Sequence, residues 1–223
     1  MRGRTAASAR PDRVLTIAEH ADHAAALLDH LGGRPAIVVG HSSAGLMALD
    51  LAVSRPDLAS GLVLIEPAFT DVPAHAGLVA HVVGPALGRF KSGDVTGAFE
   101  TFMAGMCGAE WQVVFTEKLG PAAQAQAVAE AAWFFRYETP AILSWRPDSA
   151  RLAQLTSPIL LLAGAQSEEV HPVFGEQVRR AVELLPRARV ERLPGTHMAP
   201  LQCPRELGEQ SPALLRHSHL FNV

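Results

Sequence analysis

The sequence predicts an α/β protein built on an open parallel β-sheet with helices on both faces. Short apolar runs recur along the chain without polar alternation, which is typical of strands buried on both sides. Helical patterns separate these runs, and strand, helix, strand with short links defines a βαβ unit with a right-handed crossover. The 223 residues are 48% hydrophobic and 18% charged, which excludes a disordered chain and fits one domain over residues 1–223 with a modest insertion.

The first βαβ unit lies close to the start of the chain. Residues 17–31 carry apolar side chains at three- and four-residue steps and predict an amphipathic helix, which Gly32 and Gly33 end. A short buried strand at 36–39 follows. Next come a helix over 44–55 and a second buried strand at 61–65.

The same order of elements returns near the other end. We predict a strand at 159–163, a helix over 173–185, a strand at 190–193 and a last helix over 204–216. Open parallel sheets hold their chemistry at the carboxyl ends of the strands. The segments expected there are 40–45, 66–71, 164–169 and 195–197.

Residues 70–155 between the two units read as helical and are predicted to form an inserted cap. Several of its aromatic side chains are expected to form the insertion's own core, and some to line an apolar pocket. These are Phe99, Phe102, Trp111, Phe115, Trp133, Phe134, Phe135 and Trp145.

The net charge and the number of cysteines limit the kinds of binding partner and the cellular compartment that are expected. The formal net charge is −3, so no basic excess directs the chain to nucleic acid or to a membrane surface. Cys107 and Cys203 are too few for a disulfide framework, which favours a reducing, cytoplasmic location. A small-molecule substrate is expected, with no metal and no organic cofactor.

Residues 40–45 read GHSSAG and stand between a buried strand and a helix, the setting of a nucleophile elbow. Small residues are needed on either side of such a serine because the turn is tight, and Gly40, Ala44 and Gly45 meet that need. Ser42 is predicted as the nucleophile because glycine then lies two residues before it. Ser43 is the other possible register, and an ordinary turn with a serine helix cap is the alternative.

A serine nucleophile needs a base, and an acid to orient that base. His197 lies on the loop after the last predicted strand, where the base of this arrangement belongs. The remaining histidines fit less well. His41 is expected to point away along the elbow, and the pair His20 and His23 is too few for a metal site.

Two candidates remain for the acid. Glu66 directly follows the strand at 61–65, and a glutamate at the end of a buried strand needs a partner. Glu168 follows the strand at 159–163, in a polar loop where its charge needs no explanation. We therefore predict Glu66, with Glu168 as the alternative.

These segments resemble the α/β-hydrolase superfamily. The matching pieces begin PAIVVGHSSAGL, SPILLLAGAQS and LPRARVERLPGTHM. The resemblance covers nearly the whole chain and implies a serine hydrolase with a cap. The enzyme that the resemblance implies acts on a carboxylic ester or related acyl bond of a small apolar substrate. The Ser43 N–H would lie in its oxyanion hole. The alternative is a catalytically weak or inactive fragment, or an interaction protein.

The resemblance also predicts that the chain begins within a domain. Family members place several strands and an oxyanion loop before the elbow, whereas 41 residues precede Ser42 here. Residues 2–8, RGRTAAS, resemble the start of the segment that follows that loop. The expectation is an N-terminally truncated sheet in which the strand at 36–39 becomes an edge open to self-association.

Overall fold

The computed structural model describes residues 11–209, and segment 2–8 lies outside them. The first βαβ unit forms as predicted, with slightly longer strands. Its elements are α1 (Ile17–His30), β1 (Ala36–His41), α2 (Ser43–Ser54) and β2 (Ala59–Ile65). A capping box fixes the start of α1, because Thr16 and Glu19 each bond the other's backbone N–H.

Between β2 and the next strand of the chain most residues are helical, as expected for residues 70–155. Two of the helical stretches contain π-helical turns, at Val79–Val83 and Phe134–Glu138. The α-helices are α3 (His75–Leu78), α4 (Gly84–Lys91), α5 (Val95–Cys107), α6 (Trp111–Leu119), α7 (Pro121–Trp133), α8 (Thr139–Ser144) and α9 (Ser149–Ala153).

The second unit follows the predicted order of elements. Its elements are β3 (Ile159–Gly164), α10 (Ser167–Val170), α11 (Val173–Leu184), β4 (Arg189–Leu193) and α12 (Ala199–Gln202). Residues 204–209 are also helical, and the rest of the predicted last helix lies outside the described residues.

The described strands form one four-stranded parallel sheet in the order β1-β2-β3-β4. The carboxyl ends of all four strands therefore lie along one edge of the sheet. This arrangement brings the segments after β1, β2, β3 and β4 together although they are far apart in sequence.

The two inner strands carry the apolar core. Every residue of β3 is buried, and Leu62, Val63 and Leu64 of β2 are fully inaccessible. Burying one such side chain contributes about 1.5–3 kcal/mol. The largest apolar cluster joins α2, β2 and β3 to Phe69 and to Trp145 of the insertion. The carboxyl ends of the strands thus adjoin the buried apolar core.

Within residues 11–209, β1 is an edge strand, which confirms the expectation for the strand before the elbow. Its residues are less buried than those of β2 and β3, and Val39 is 54% exposed. An exposed apolar edge is a template for pairing with another chain.

We expect Val39→Lys to weaken concentration-dependent self-association through β1, raising the dissociation constant by about tenfold or more because charge on an edge opposes pairing. Sedimentation velocity over a concentration series measures this. Val113→Lys is the control, because Val113 is a similarly exposed valine on a helix. Equal effects of both changes would contradict pairing through β1.

Among the described residues, no helix combines the length and apolar character needed to cross a membrane.

Candidate active site

The turn from β1 into α2 holds Ser42 in an unusual backbone conformation. Its φ is 54° and its ψ is −123°, a combination that residues with a side chain rarely adopt. The Ser42 N–H donates to Ile65 O at 2.9 Å, and Ser42 O accepts from the Gly45 N–H at 2.9 Å. The Ser42 side chain does not cap α2, so it does not act as an ordinary helix cap. Such strain clusters at functional sites.

The glycines on either side of Ser42 are required by contact distances. A Cβ at Gly40 would lie 2.5 Å from Ala44 O and 2.7 Å from Gly45 Cα. A Cβ at Gly45 would lie 2.8 Å from Pro67 Cβ. The prediction that the tight turn demands small residues is confirmed at both positions.

We expect Gly40→Ala to lower the free energy of unfolding by about 1–3 kcal/mol, because the added methyl meets backbone atoms that cannot move independently. Urea denaturation measures the change. Gly88→Ala is the matched control, since its Cβ would meet nothing within 4 Å in α4. Alanine there should leave stability unchanged or raise it by up to about 1 kcal/mol. Similar losses in both variants would contradict the steric argument.

Glu66 follows β2 directly and is almost completely buried, with 2% of its surface exposed. Its Oε1 accepts from the Gly164 N–H at 2.8 Å, and its Oε2 lies 2.7 Å from His197 Nδ1. His197 is 6% exposed. The structure therefore brings together two of the predicted site residues, which follow β2 and β4 and lie 131 positions apart.

The surroundings of Glu66 favour its charged form. Burial alone would raise the pKa of Glu66, but the hydrogen bond and electrostatic attraction of His197, with the bond from the Gly164 N–H, lower it overall. A carboxylate only accepts hydrogen bonds, so the hydrogen of neutral His197 lies on Nδ1. Nε2 is then left as the basic nitrogen of the imidazole.

Glu168, the alternative acid, lies elsewhere. Its side chain is half exposed and pairs with Arg179 across 3.6 Å at the surface. Such a pair contributes little to stability. The carboxylate that contacts His197 is that of Glu66.

The loop that carries His197 is held by two glutamines. Gln166 Oε1 accepts from the Gly195 N–H at 2.5 Å, and Gln202 Oε1 accepts from the Thr196 N–H at 2.8 Å. Gly195 has a φ of 109°, and a Cβ there would lie 2.3 Å from Gln202 Oε1. A glycine is therefore needed at this turn.

The elbow and the histidine loop meet through His41, the residue before Ser42. Its Nε2 lies 2.9 Å from His197 O, and the two imidazole rings lie 4.5 Å apart between centroids. The expectation that His41 points away along the elbow is wrong. A strand pattern gives the face of a side chain but not the loop that it meets, so sequence reasoning missed this contact.

Two further residues at the site were not among the predicted site residues. The Phe174 ring lies 4.7 Å from the His197 ring, and Ser167 is buried beside Glu66. Phe174 is the second residue of α11 and Ser167 is the first of α10, so both follow β3. The available hint for Ser167 was that it is a polar residue just after a predicted strand.

Ser43 begins α2, and its hydroxyl donates to Glu138 Oε1 at 3.2 Å. Glu138 is 1% exposed and lies in the second π-helical turn of the insertion. This bond ties the elbow to the insertion. The first N–H groups of a helix have no partner inside the helix, so the Ser43 N–H is directed outward at the elbow.

The other histidines among the described residues do not assemble into a metal site. His20 and His23 lie on α1 with ring centroids 6.4 Å apart. Burial lowers the pKa of His20 and favours its neutral form. Across residues 11–209, no group of three or more potential metal ligands occurs.

The chain belongs to the alpha/beta hydrolase family, whose model matches residues 2–210. The four parallel strands, the helices around them and the elbow after β1 agree with this assignment.

Within this family the chain is similar to lipases and esterases. It is 49% identical over 53 residues to Lipase LipV of Mycobacterium tuberculosis, covering 24% of this chain and 20% of that protein. It is 24% identical over 184 residues to the mouse sn-1-specific diacylglycerol lipase ABHD11, covering 75% and 54%. The chain thus spans about half or less of the length of these curated relatives.

Solved structures share the fold. The naproxen esterase of Bacillus subtilis matches with a TM-score of 0.71 at 22% identity, covering 94% of this chain and 70% of that chain. MGS-M2, an alpha/beta hydrolase from a deep-sea metagenome library, matches with a TM-score of 0.74 at 14% identity, covering 100% and 80%.

Proposed function

We propose that the protein is a serine hydrolase that cleaves a carboxylic ester through an acyl-enzyme. The observation that carries the proposal is the buried Glu66–His197 hydrogen bond of 2.7 Å beside the strained elbow of Ser42. An ionised acid, an imidazole with its hydrogen on Nδ1 and a serine on a strand-to-helix turn are the parts that acyl transfer needs.

In the proposed reaction, Ser42 Oγ attacks the carbonyl carbon of the ester while His197 Nε2 takes the hydroxyl proton. The resulting tetrahedral intermediate collapses, the C–O bond to the alcohol breaks, and His197 returns the proton to the leaving alcohol. Water then attacks the acyl-enzyme with His197 as base. The carboxylic acid leaves and Ser42 regains its proton.

Ser43 supports the proposed oxyanion hole through its backbone N–H. The N-terminal end of α2 adds a partial positive charge at the same place. Each donor of this kind contributes about 10²–10³ in turnover.

The insertion is proposed to act as a cap over a small apolar acyl group. One of its apolar clusters includes Phe174 and Met198, which lie beside His197 on the other part of the molecule. Apolar walls next to the reacting groups favour an apolar substrate. The names of the similar lipases and of the naproxen esterase support an acyl ester as the substrate class.

A fluorophosphonate probe tests this proposal, because it phosphonylates an activated serine hydroxyl with loss of fluoride. We expect one adduct per folded chain, mapped by mass spectrometry to Ser42, together with hydrolysis of p-nitrophenyl acetate and butyrate. Heat-unfolded protein is the control and should not react. A folded chain that neither reacts nor hydrolyses the esters would favour a non-catalytic interaction protein.

A further inference from the structure

His41 contacts the proposed base through both its ring and its side-chain nitrogen. Its Nε2 lies 2.9 Å from the main-chain oxygen of His197, 156 positions away. A carbonyl oxygen only accepts, so His41 Nε2 carries the hydrogen and donates it. This bond links the last residues of β1 to the loop after β4 across the whole sheet.

The His41 ring also packs on the ring of His197. The centroids lie 4.5 Å apart at an interplanar angle of 40°, and the ring of Phe174 lies 4.7 Å away at 32°. Offset packing at this distance is attractive and limits rotation of the enclosed ring. Glu66 fixes the Nδ1 edge of the same ring at 2.7 Å.

We infer that His41 is a positioning residue for His197, an inference that rests on the function proposed above. Glu66 determines which nitrogen of His197 carries the hydrogen. His41 fixes where the ring stands, because it holds the backbone carbonyl of His197 and packs against its side chain. Since His41 adjoins Ser42, one residue couples the position of the base to that of the nucleophile.

The expected cost of losing this coupling follows from the geometry of proton transfer. A displacement of about 1 Å at a reacting group can lower the rate by about 10²-fold. Ester binding does not involve His41 in this scheme. Removing the side chain should therefore lower kcat by about 10–100-fold and change KM by less than about threefold.

Three variants separate the two contacts. His41→Gln keeps an amide donor for the carbonyl and removes the ring, His41→Phe keeps a ring and removes the donor, and His41→Ala removes both. We expect intermediate losses of kcat for glutamine and phenylalanine and the largest loss for alanine. His30→Ala, at the exposed end of α1, is the control and should match the wild type.

Each rate is divided by the number of active sites titrated with the fluorophosphonate, so that unfolded material does not count. If His41 merely supports folding, kcat per titrated site will equal that of the wild type in every variant, and the inference is wrong. The inference is supported if kcat per titrated site falls most in His41→Ala and less in His41→Gln or His41→Phe.

Nuclear magnetic resonance supplies a readout that does not need activity. The His197 Nδ1–H bonded to a carboxylate gives a low-field proton signal, assigned by its loss in Glu66→Gln. We expect this signal to broaden or disappear in His41→Ala through faster exchange with water and to persist in His30→Ala. An unchanged signal in His41→Ala would overturn the inference. Failure of the wild type to react with the probe would instead overturn the proposed function.

Discussion

Replacing Ser42 by alanine is expected to lower kcat for p-nitrophenyl acetate by about 10⁴–10⁶-fold. In the proposed mechanism the Ser42 hydroxyl forms the acyl-enzyme, and water cannot take its place at the elbow with the same geometry. The side chain does not cap α2, so its loss removes no hydrogen bond that stabilises the helix. The free energy of unfolding should stay the same or rise. Alanine is no less favourable at this helix end than a serine that forms no cap, and the rest of the fold is unchanged.

The control for this change is Ser54→Ala. Ser54 lies at the other end of the same helix, where its hydroxyl bonds Asp50 O at 2.8 Å. That variant should hydrolyse the ester at the wild-type rate and still react with the fluorophosphonate. Retention of more than about 1% of wild-type kcat in Ser42→Ala would contradict Ser42 as the nucleophile. Labelling would then be mapped on Ser43, the other register of the elbow.

The second large effect is expected from Glu66→Gln, which should lower kcat by about 10³–10⁴-fold. The glutamine amide can donate to Nδ1 of His197, which stabilises the tautomer with its hydrogen on Nε2 and leaves no base toward Ser42. The amide also carries no charge to stabilise the imidazolium that forms during the reaction. Steady-state kinetics at pH 7 measures the loss, and KM should change little because in the proposed mechanism Glu66 contacts His197 and not the ester.

Glu168→Gln is the matched control for the acid. Its exposed side chain pairs only weakly with Arg179, so kcat should remain within about twofold of the wild type. Losses of similar size in the two glutamine variants would overturn the assignment of Glu66. Circular dichroism of both variants verifies that the sheet has formed.

Much of the fold follows from local pattern. β3 is a continuous apolar run with every residue buried, and α2 starts at the residue after Ser42, so both were predictable within one or two residues. The glycines at 40 and 45 were predictable because turn sterics depend on near neighbours in sequence. The physical cause of each of these features lies in residues that are close to it in sequence.

The parts that escaped prediction depend on distant contacts. The π-helical turn that contains Glu138 and the ring of His41 acquire their roles from segments about 100 residues away or more. The preference for Glu66 over Glu168 came from the rule that a buried charge needs a partner, which applies without knowing the partner's position, and the buried Glu66 contacts His197. No comparable rule predicts which way a side chain in a loop points.

The long sequence separation of the Glu66–His197 bond has a consequence during synthesis. The two residues are separated by 131 positions, and the intervening chain contains the whole insertion. Contacts between distant segments form late, because a large loop must close first. Under the proposed function, we therefore expect a ribosome-bound chain that has exposed the elbow alone to present an inert serine, which becomes reactive toward acyl groups only after β4 has joined the sheet.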